Sequence, residues 1–304
     1  MNTANQIENQ EMQEEKVRSL WKQSLIQFKH NRLAVAGFVI ILLFIVVILA
    51  TIGIDLATNY AFYDEYIVKQ DLTLRLAKPS LAHPFGCDEF GRDLLLRILW
   101  GTKLSMAIGV VAISLSVIMG APFGMIAAFY GGKVDNVIMR VMDVLLAVPY
   151  MLLAMAIVAA LGTSTVNLLL ALAVSGIAKY ARIARAAVLT VKDSEFVEAA
   201  RAVGASDATI LFKYILPNAL APILVQISLG IGDSILAVAG LSYLGLGVQP
   251  PQPEWGAILT TARTYMRDAW HISVFPGLFL ILAVIAFNLF GDGLRDALDP
   301  KLKR

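Results

Sequence analysis

The sequence predicts an all-α integral membrane protein with six transmembrane helices, and three observations predict it. Of 304 residues, 58% are hydrophobic and only 16% are charged, with a mean hydropathy of +0.71. A soluble chain of this length could not hide so much apolar surface, so its solvent is lipid. The apolar residues are gathered into runs of bilayer length, about 20 residues each. The basic residues concentrate in alternate connections between those runs, the bias that orients multi-pass chains.

In chain order, residues 1–32 form a polar tail placed in the cytoplasm. Residues 1–13, rich in Asn, Gln and Glu, have too little apolar surface to order themselves. From about Glu14 to His30, Val17, Leu20, Trp21, Ser24 and Phe28 fall on one helical stripe. Lys16, Arg18, Lys22 and Lys29 surround it, as in a basic amphipathic helix lying on a membrane surface. Residues 33–54 carry no charge and make the first crossing. Residues 55–103 form an external loop.

Residues 104–291 hold five further crossings: Leu104–Tyr130, Val134–Leu161 with a kink at Pro149, Val166–Leu189, Asn218–Leu246 and His271–Phe290. A cytoplasmic insert at 190–217 and a Pro-rich external loop at 247–271 interrupt them. Residues 292–304 close the chain as a cytoplasmic tail. With the amino end inside, Lys133, Arg140, Lys179, Arg182, Arg185, Lys192, Arg201 and Lys213 all lie on the cytoplasmic side. The external minority includes Lys69, Arg75, Arg92, Arg97, Lys103 and Arg263.

The insert reads as two short helices around a turn. Asp193 or Ser194 caps the first helix, Gly204 supplies the left-handed residue that ends it, and Ser206 caps the second. Pro217 sits at a helix start, where its missing N–H is not needed. On the first helix Phe196, Ala199, Ala200 and Val203 share one face, with Glu195, Glu198 and Arg201 on or near the other. Small residues let another surface approach closely, and flanking charges set its register. The stretch is built as a docking element.

Glu198-Ala199-Ala200, then Gly204, then Leu216-Pro217, all between two spans, resembles the EAA loop of ABC importer permeases, with Tyr214 where Ile is usual. The resemblance implies a type I ABC importer permease fold. It makes Glu195, Glu198, Ala199, Ala200, Arg201, Gly204 and Pro217 the residues of ATPase coupling. A second stretch, His83-Pro84-Phe85-Gly86-Cys87-Asp88 followed by Gly91-Arg92-Asp93, is similar to the signature of the C-type subunit of dipeptide and oligopeptide importers; Cys87 replaces the usual Thr. The stretches at 247–256 and 291–300 resemble the same subunit. The resemblance implies a heterodimer with a B-type permease, two cytoplasmic ATPases that bind the ATP and magnesium, and an external substrate-binding protein. It also implies a bacterial-type inner membrane with both termini in the cytoplasm. Its cargo would be a di- or oligopeptide; nickel complexes, glutathione and other small solutes stay open.

Two acidic residues inside the spans are candidates for the translocation path. Asp143 follows Arg140 by three positions, so the two are expected to pair on one face. Asp233 sits mid-span, placed to line a polar route or to bond a neighbouring helix. Asn167 and Asn288 are expected to bond between helices. The chain has no GxxxxGK[ST] motif, so no ATP hydrolysis and no cofactor of its own are expected. Its single cysteine, Cys87, excludes an intrachain disulfide, and His83, Cys87 and Asp88 match no standard metal spacing. A net charge of +2 argues against nucleic acid as a partner. An ion-coupled secondary transporter using Asp233 and a non-transporting scaffold remain as rival classes.

Overall fold

Hydrocarbon offers a backbone N–H or C=O no partner, so a spanning segment satisfies its own groups within a helix. The computed structural model, which describes residues 26–298, follows that rule. Its helices are α1 (Arg32–Ala57), α2 (Leu94–Tyr130), α3 (Gly132–Leu146), α4 (Tyr150–Leu161), α5 (Thr165–Leu189), α6 (Glu195–Ala202), α7 (Asp207–Tyr243), α8 (Trp255–Tyr265) and α9 (His271–Leu298). Among them α1, α2, α5, α7 and α9 are each long and apolar enough to cross a membrane, and α3 with α4 makes a sixth span as a bent pair. Of the amphipathic helix expected over Glu14–His30, only 26–30 falls within the described residues, and it is helical.

α1 begins and α9 finishes at one end of the bundle, where Asn31 Nδ2 donates to Asp296 Oδ2 at 3.2 Å. This is the near end, and it also carries α6. α8 lies at the far end, together with the connection between α1 and α2. At the centre α2 packs on α5 with almost no space between backbones. A Cβ added at Gly120 or Gly124 would strike the carbonyls of Ile177 or Ala181. Two glycines four apart are what such an approach requires. Higher up, the Ser116 hydroxyl donates to Ala112 O at 2.9 Å and across the interface to Ala173 O at 3.0 Å. α7 and α9 close the core, and α1 packs outside it on α9. In the most apolar window of α1, 17% is buried, against 50% for α2 and α5, so α1 is peripheral.

Four boundaries differ from the sequence reading, each for a local reason. α2 starts at Leu94, well before Leu104, because Asp93 caps it: Asp93 Oδ1 accepts from Leu96 N at 2.9 Å. Arg97 and Lys103 therefore ride on a helix and not in a loop. Pro149 marks a break and not a mild kink; α3 and α4 meet at 79°. A proline disfavours helical geometry in the residue before it, and Pro149 itself is extended (φ −54°, ψ 134°). Within the stretch 247–271, Trp255–Tyr265 forms α8, which packs into the bundle. α9 runs to Leu298, so 292–298 is helix and not tail. Asn167 also differs, since its Nδ2 donates to Leu161 O and Gly162 O, both at 2.9 Å. It closes the α4–α5 turn and does not bridge packed helices.

Candidate functional site: a docking helix and a charged cavity

The insert at the near end folds much as its sequence implies. Glu195 and Glu198 occupy the first turn of α6 and Arg201 the last, the arrangement that suits the helix dipole. The helix ends in a Schellman motif. Ala205 N donates to Ala200 O at 3.1 Å and Gly204 N to Arg201 O at 3.0 Å, with Gly204 at φ +80°. Ser206 accepts from Thr209 N at 3.3 Å and so caps the next helix. Ser194 is the N-cap of α6, yet its hydroxyl bonds back to Val191 O, so the expected side-chain cap does not form. Pro217 lies in the first turn of the α-helical stretch Leu216–Tyr243 of α7, as its place in the sequence implied. A π-turn over Ile210–Ile215 immediately precedes it and opens the hydrogen-bond register that proline cannot continue.

The faces of α6 need one correction. Ala200 points inward with Val197, packed among Ala184, Val188, Ile210 and Ile215. The residues left facing out are Phe196 (43% exposed), Ala199 and Val203 (83% exposed), with Glu195, Glu198 and Arg201 around them. The sequence alone cannot tell which side of a short helix meets the rest of its own chain. Lys192 Nζ donates to Ala128 O at 3.3 Å, tying the root of the insert to the end of α2. α5 enters the insert and α7 leaves it, so α6 is rooted in two spanning helices.

Along α5 a basic row continues from this end. Arg185 holds Asp135 of α3 with two bonds of 2.6 Å. Arg182 reaches Asp143 of α3 at 2.5 Å. Asp143 therefore pairs across helices and not with Arg140 as its spacing suggested. Lys179 faces Asp233 of α7 at 3.4 Å. Asp233 also borders a cavity of about 770 Å³, walled by α5, α7 and the α3–α4 break. Asp143 does not line it. Asn288 of α9 lies opposite Gly232, close enough that a Cβ there would approach its Oδ1 to 3.3 Å.

At the far end the 82–93 motif is a staple. Asp88 Oδ1 accepts from Phe90 N and Arg92 N at 2.9 and 3.0 Å, and Asp88 Oδ2 meets Arg92 Nε at 2.7 Å and Arg97 Nε at 3.2 Å. Gly86 and Gly91 have φ of +77° and +73°, and a Cβ on either would strike neighbouring backbone. His83 Nδ1 is 2.8 Å from Asp93 Oδ2, the other carboxylate oxygen of the α2 cap. Cys87 is fully buried, and burial, aided by Asp93 and Asp88, pushes its thiol up to about 11. Burial and the neighbouring Asp88 also raise the Glu89 carboxyl. Among the described residues no group of three His, Cys, Asp or Glu side chains is gathered to hold a metal.

Sequence reasoning missed how the Pro-rich stretch is held. Glu254 is buried and caps α8, its oxygens accepting from Gly256 N at 2.9 Å and Ala257 N at 2.8 Å. Ser105 of α2 donates to the same carboxylate at 3.1 Å and accepts from Trp255 N at 3.1 Å. Trp255 is fully buried and donates to Ile98 O at 3.1 Å. Asp55, at the end of α1, receives Trp100 Nε1 at 2.8 Å and pairs with Lys103. The one available signal was a glutamate directly before the first residue of a helix-forming run.

A family model described as "Binding-protein-dependent transport system inner membrane component" matches residues 120–304, and one described as "N-terminal TM domain of oligopeptide transport permease C" matches residues 19–79. The dipeptide transport system permease protein DppC of Alkalihalophilus pseudofirmus is 43% identical over 285 residues, covering 94% of this chain and 91% of that protein. The glutathione transport system permease protein GsiD of Pectobacterium atrosepticum is 42% identical over 298 residues, covering 96% and 95%. An inward-facing conformation of the MetNI methionine ABC transporter superposes with a TM-score of 0.57 at 20% identity, over 68% of this chain and 96% of that one, a likeness of fold alone. The chain therefore belongs to the inner membrane components of binding-protein-dependent transport systems, the permeases of ABC importers.

Proposed function

We propose that this permease is the C-type subunit of a di- or oligopeptide importer. It pairs with a B-type permease and works with two ATPases and an external substrate-binding protein. ATP and magnesium belong to the ATPases, and this chain hydrolyses none itself. The near end faces the cytoplasm of a bacterial-type inner membrane. The basic row of α5 and the residues around α6 support that orientation.

The observation that carries this reading is the outward face of α6. Phe196, Ala199 and Val203 form an exposed apolar strip ringed by Glu195, Glu198 and Arg201, on a helix rooted in two spans. An ATPase groove that closes on this strip moves α5 and α7 together. It shifts the permease only as far as its open and closed forms grip α6 differently. Gly204 keeps α6 at a fixed angle to Asp207–Tyr243, and Pro217 with its π-turn is where the angle between docking element and span is set. The named relatives carry dipeptides and glutathione, and this supports a short peptide as cargo. Glutathione is the second reading, favoured by a relative of nearly equal identity.

The test is a cross-link. With Cys87→Ser as background, Ala199→Cys or Val203→Cys joins a cysteine introduced into the ATPase groove as a disulfide under an added oxidant, and bulky Ala199→Trp abolishes ATP-driven uptake while the protein stays inserted. Full uptake by Ala199→Trp removes the coupling reading. Uptake by this chain alone, driven by a proton gradient, supports a secondary transporter instead.

A further inference from the structure

Of the three acid–base pairs along α5, one is built differently. Arg185–Asp135 and Arg182–Asp143 are closed at 2.6 and 2.5 Å. Lys179–Asp233 stands at 3.4 Å, with 45% and 69% of the two side chains exposed. It is also the pair that borders the cavity, and among the described residues these two are the only charged ones lining it. The rest of the wall is mostly apolar or aromatic, with Tyr150, Met151, Leu236 and Tyr243 among its members. Ser234 adds a hydroxyl that is buried and has no hydrogen-bond partner among the described residues. A volume of about 770 Å³ falls within the range of small-molecule sites, roughly 300–1,000 Å³.

A lysine has three donors and a carboxylate about four lone-pair positions, and this pair uses one of each. A loose, half-exposed pair stabilises a fold very little. Charges at this depth of a bundle are nevertheless expensive to keep, so their presence asks for a use. We propose that Lys179 and Asp233 are a binding site for the two ends of a zwitterionic short peptide. Lys179 takes its carboxylate, Asp233 takes its ammonium group, and the apolar wall takes its side chains.

The physical advantage lies in charge balance. In the empty cavity the lysine and the aspartate neutralise each other. With a zwitterion bound, each turns to an end of the peptide, and the site stays neutral overall. At no stage is a single charge left unpaired within a span, where ionisable side chains are costly to keep. A solute with one net charge has no such exchange and strands one partner. This site rests on the peptide reading given above and adds to it the groups that meet the peptide inside the membrane.

The experiment uses the complete transporter in proteoliposomes, with ATP-driven uptake of the dipeptide Ala-Phe. The variant is Lys179→Gln with Asp233→Asn, near-isosteric and leaving no unpaired charge. Its maximal uptake rate is expected to fall about tenfold or more, while the half-saturating peptide concentration, set by the external binding protein, moves less than about twofold. In parallel, Ala-p-benzoylphenylalanine is photolysed during turnover of the unaltered transporter. Its adducts are expected on cavity residues such as Met151, Leu236 or Tyr243, and are lost in the double variant. If the double variant transports at the full rate, or adducts form only outside the cavity, the site is overturned and the peptide reading stands. If the unaltered transporter takes up no Ala-Phe, both are overturned. The photolabel on the unaltered protein keeps the test decisive should the double variant fail to accumulate in the membrane.

Discussion

The two ends of the bundle treat polar groups in opposite ways. At the far end Asp88, Arg92 and Arg97 are each at most 5% exposed, and Asp88 accepts from side chains and backbone together. Glu254 and Trp255 are sealed against Ser105 and Ile98. At the near end Phe196 and Val203 lie open, and the Arg182–Asp143 and Lys179–Asp233 pairs are roughly half exposed. Buried ionic groups survive only where every partner is present within the same chain. The far end comes close to this: Asp88, Arg92 and Arg97 pair within the chain, while Glu89 Oε2, Arg97 Nε, His271 Nδ1 and Ser273 Oγ are buried there without a hydrogen bond among the described residues. The near end and the cavity leave apolar and charged side chains exposed, the surfaces on which the proposed docking of an ATPase and a second permease rests.

Breaking the far end gives the largest effect. Asp88→Ala leaves Arg92 and Arg97 buried without their carboxylate, a loss of about 3–5 kcal/mol. Thermal unfolding of the detergent-purified protein measures it, and reduced accumulation in the membrane accompanies it. A shift corresponding to less than about 1 kcal/mol contradicts the picture of a self-contained end.

Next in size is a contrast between neighbours on α6. Ala200→Trp forces an indole into the packing of Val188, Ile210 and Ile215 and destabilises by about 1–3 kcal/mol. Ala199→Trp changes stability by less than about 0.5 kcal/mol, because its side chain meets solvent, and stops uptake instead. Equal stability losses in the two would mean that α6 is rotated from the orientation described. Smaller again is Arg182→Gln. Its pair with Asp143 is exposed on both sides, so its removal costs about 0–1 kcal/mol in the same unfolding measurement.

What the sequence disclosed divides along the same line. The spans were legible because length and apolarity are counted residue by residue, and Gly204 and Ser206 because a left-handed turn and an N-cap are local needs. The partner of Asp143 was not legible. Spacing offered Arg140, and the winning Arg182 comes from another helix, a choice made by packing. Ala200 was put on the wrong face because periodicity groups residues and does not say which group is covered. The depth of the Pro149 break, the start of α2 at Leu94 and the burial of Glu254 all depend on contacts far apart in sequence. The apolar row of α6 and the charges of α5 and α7 were visible as types; their pairing and the cavity were not.

The smallest effect concerns pH, and it sharpens the contrast because it arises from burial at the far end. Burial and Asp88 raise the Glu89 carboxyl above its ordinary 4.5, and Arg92, 3.7 Å away, does not offset them. The folded state then holds that proton more tightly than the unfolded chain does. The stability this contributes is fully present below 4.5 and is lost as pH rises through the raised folded value. Cys87 behaves alike in a higher window, with stability present below 9.0 and lost as pH rises towards about 11. Unfolding temperature measured against pH should therefore fall slightly just above the ordinary carboxylate range, and Glu89→Gln should flatten that fall. N-ethylmaleimide at pH 8 should leave Cys87 unmodified in the folded protein and label it on denaturation, since the thiol is both buried and protonated. Rapid labelling of the native protein would mean that the staple around Gly86 and Gly91 opens, and that the far end is no more closed than the near one.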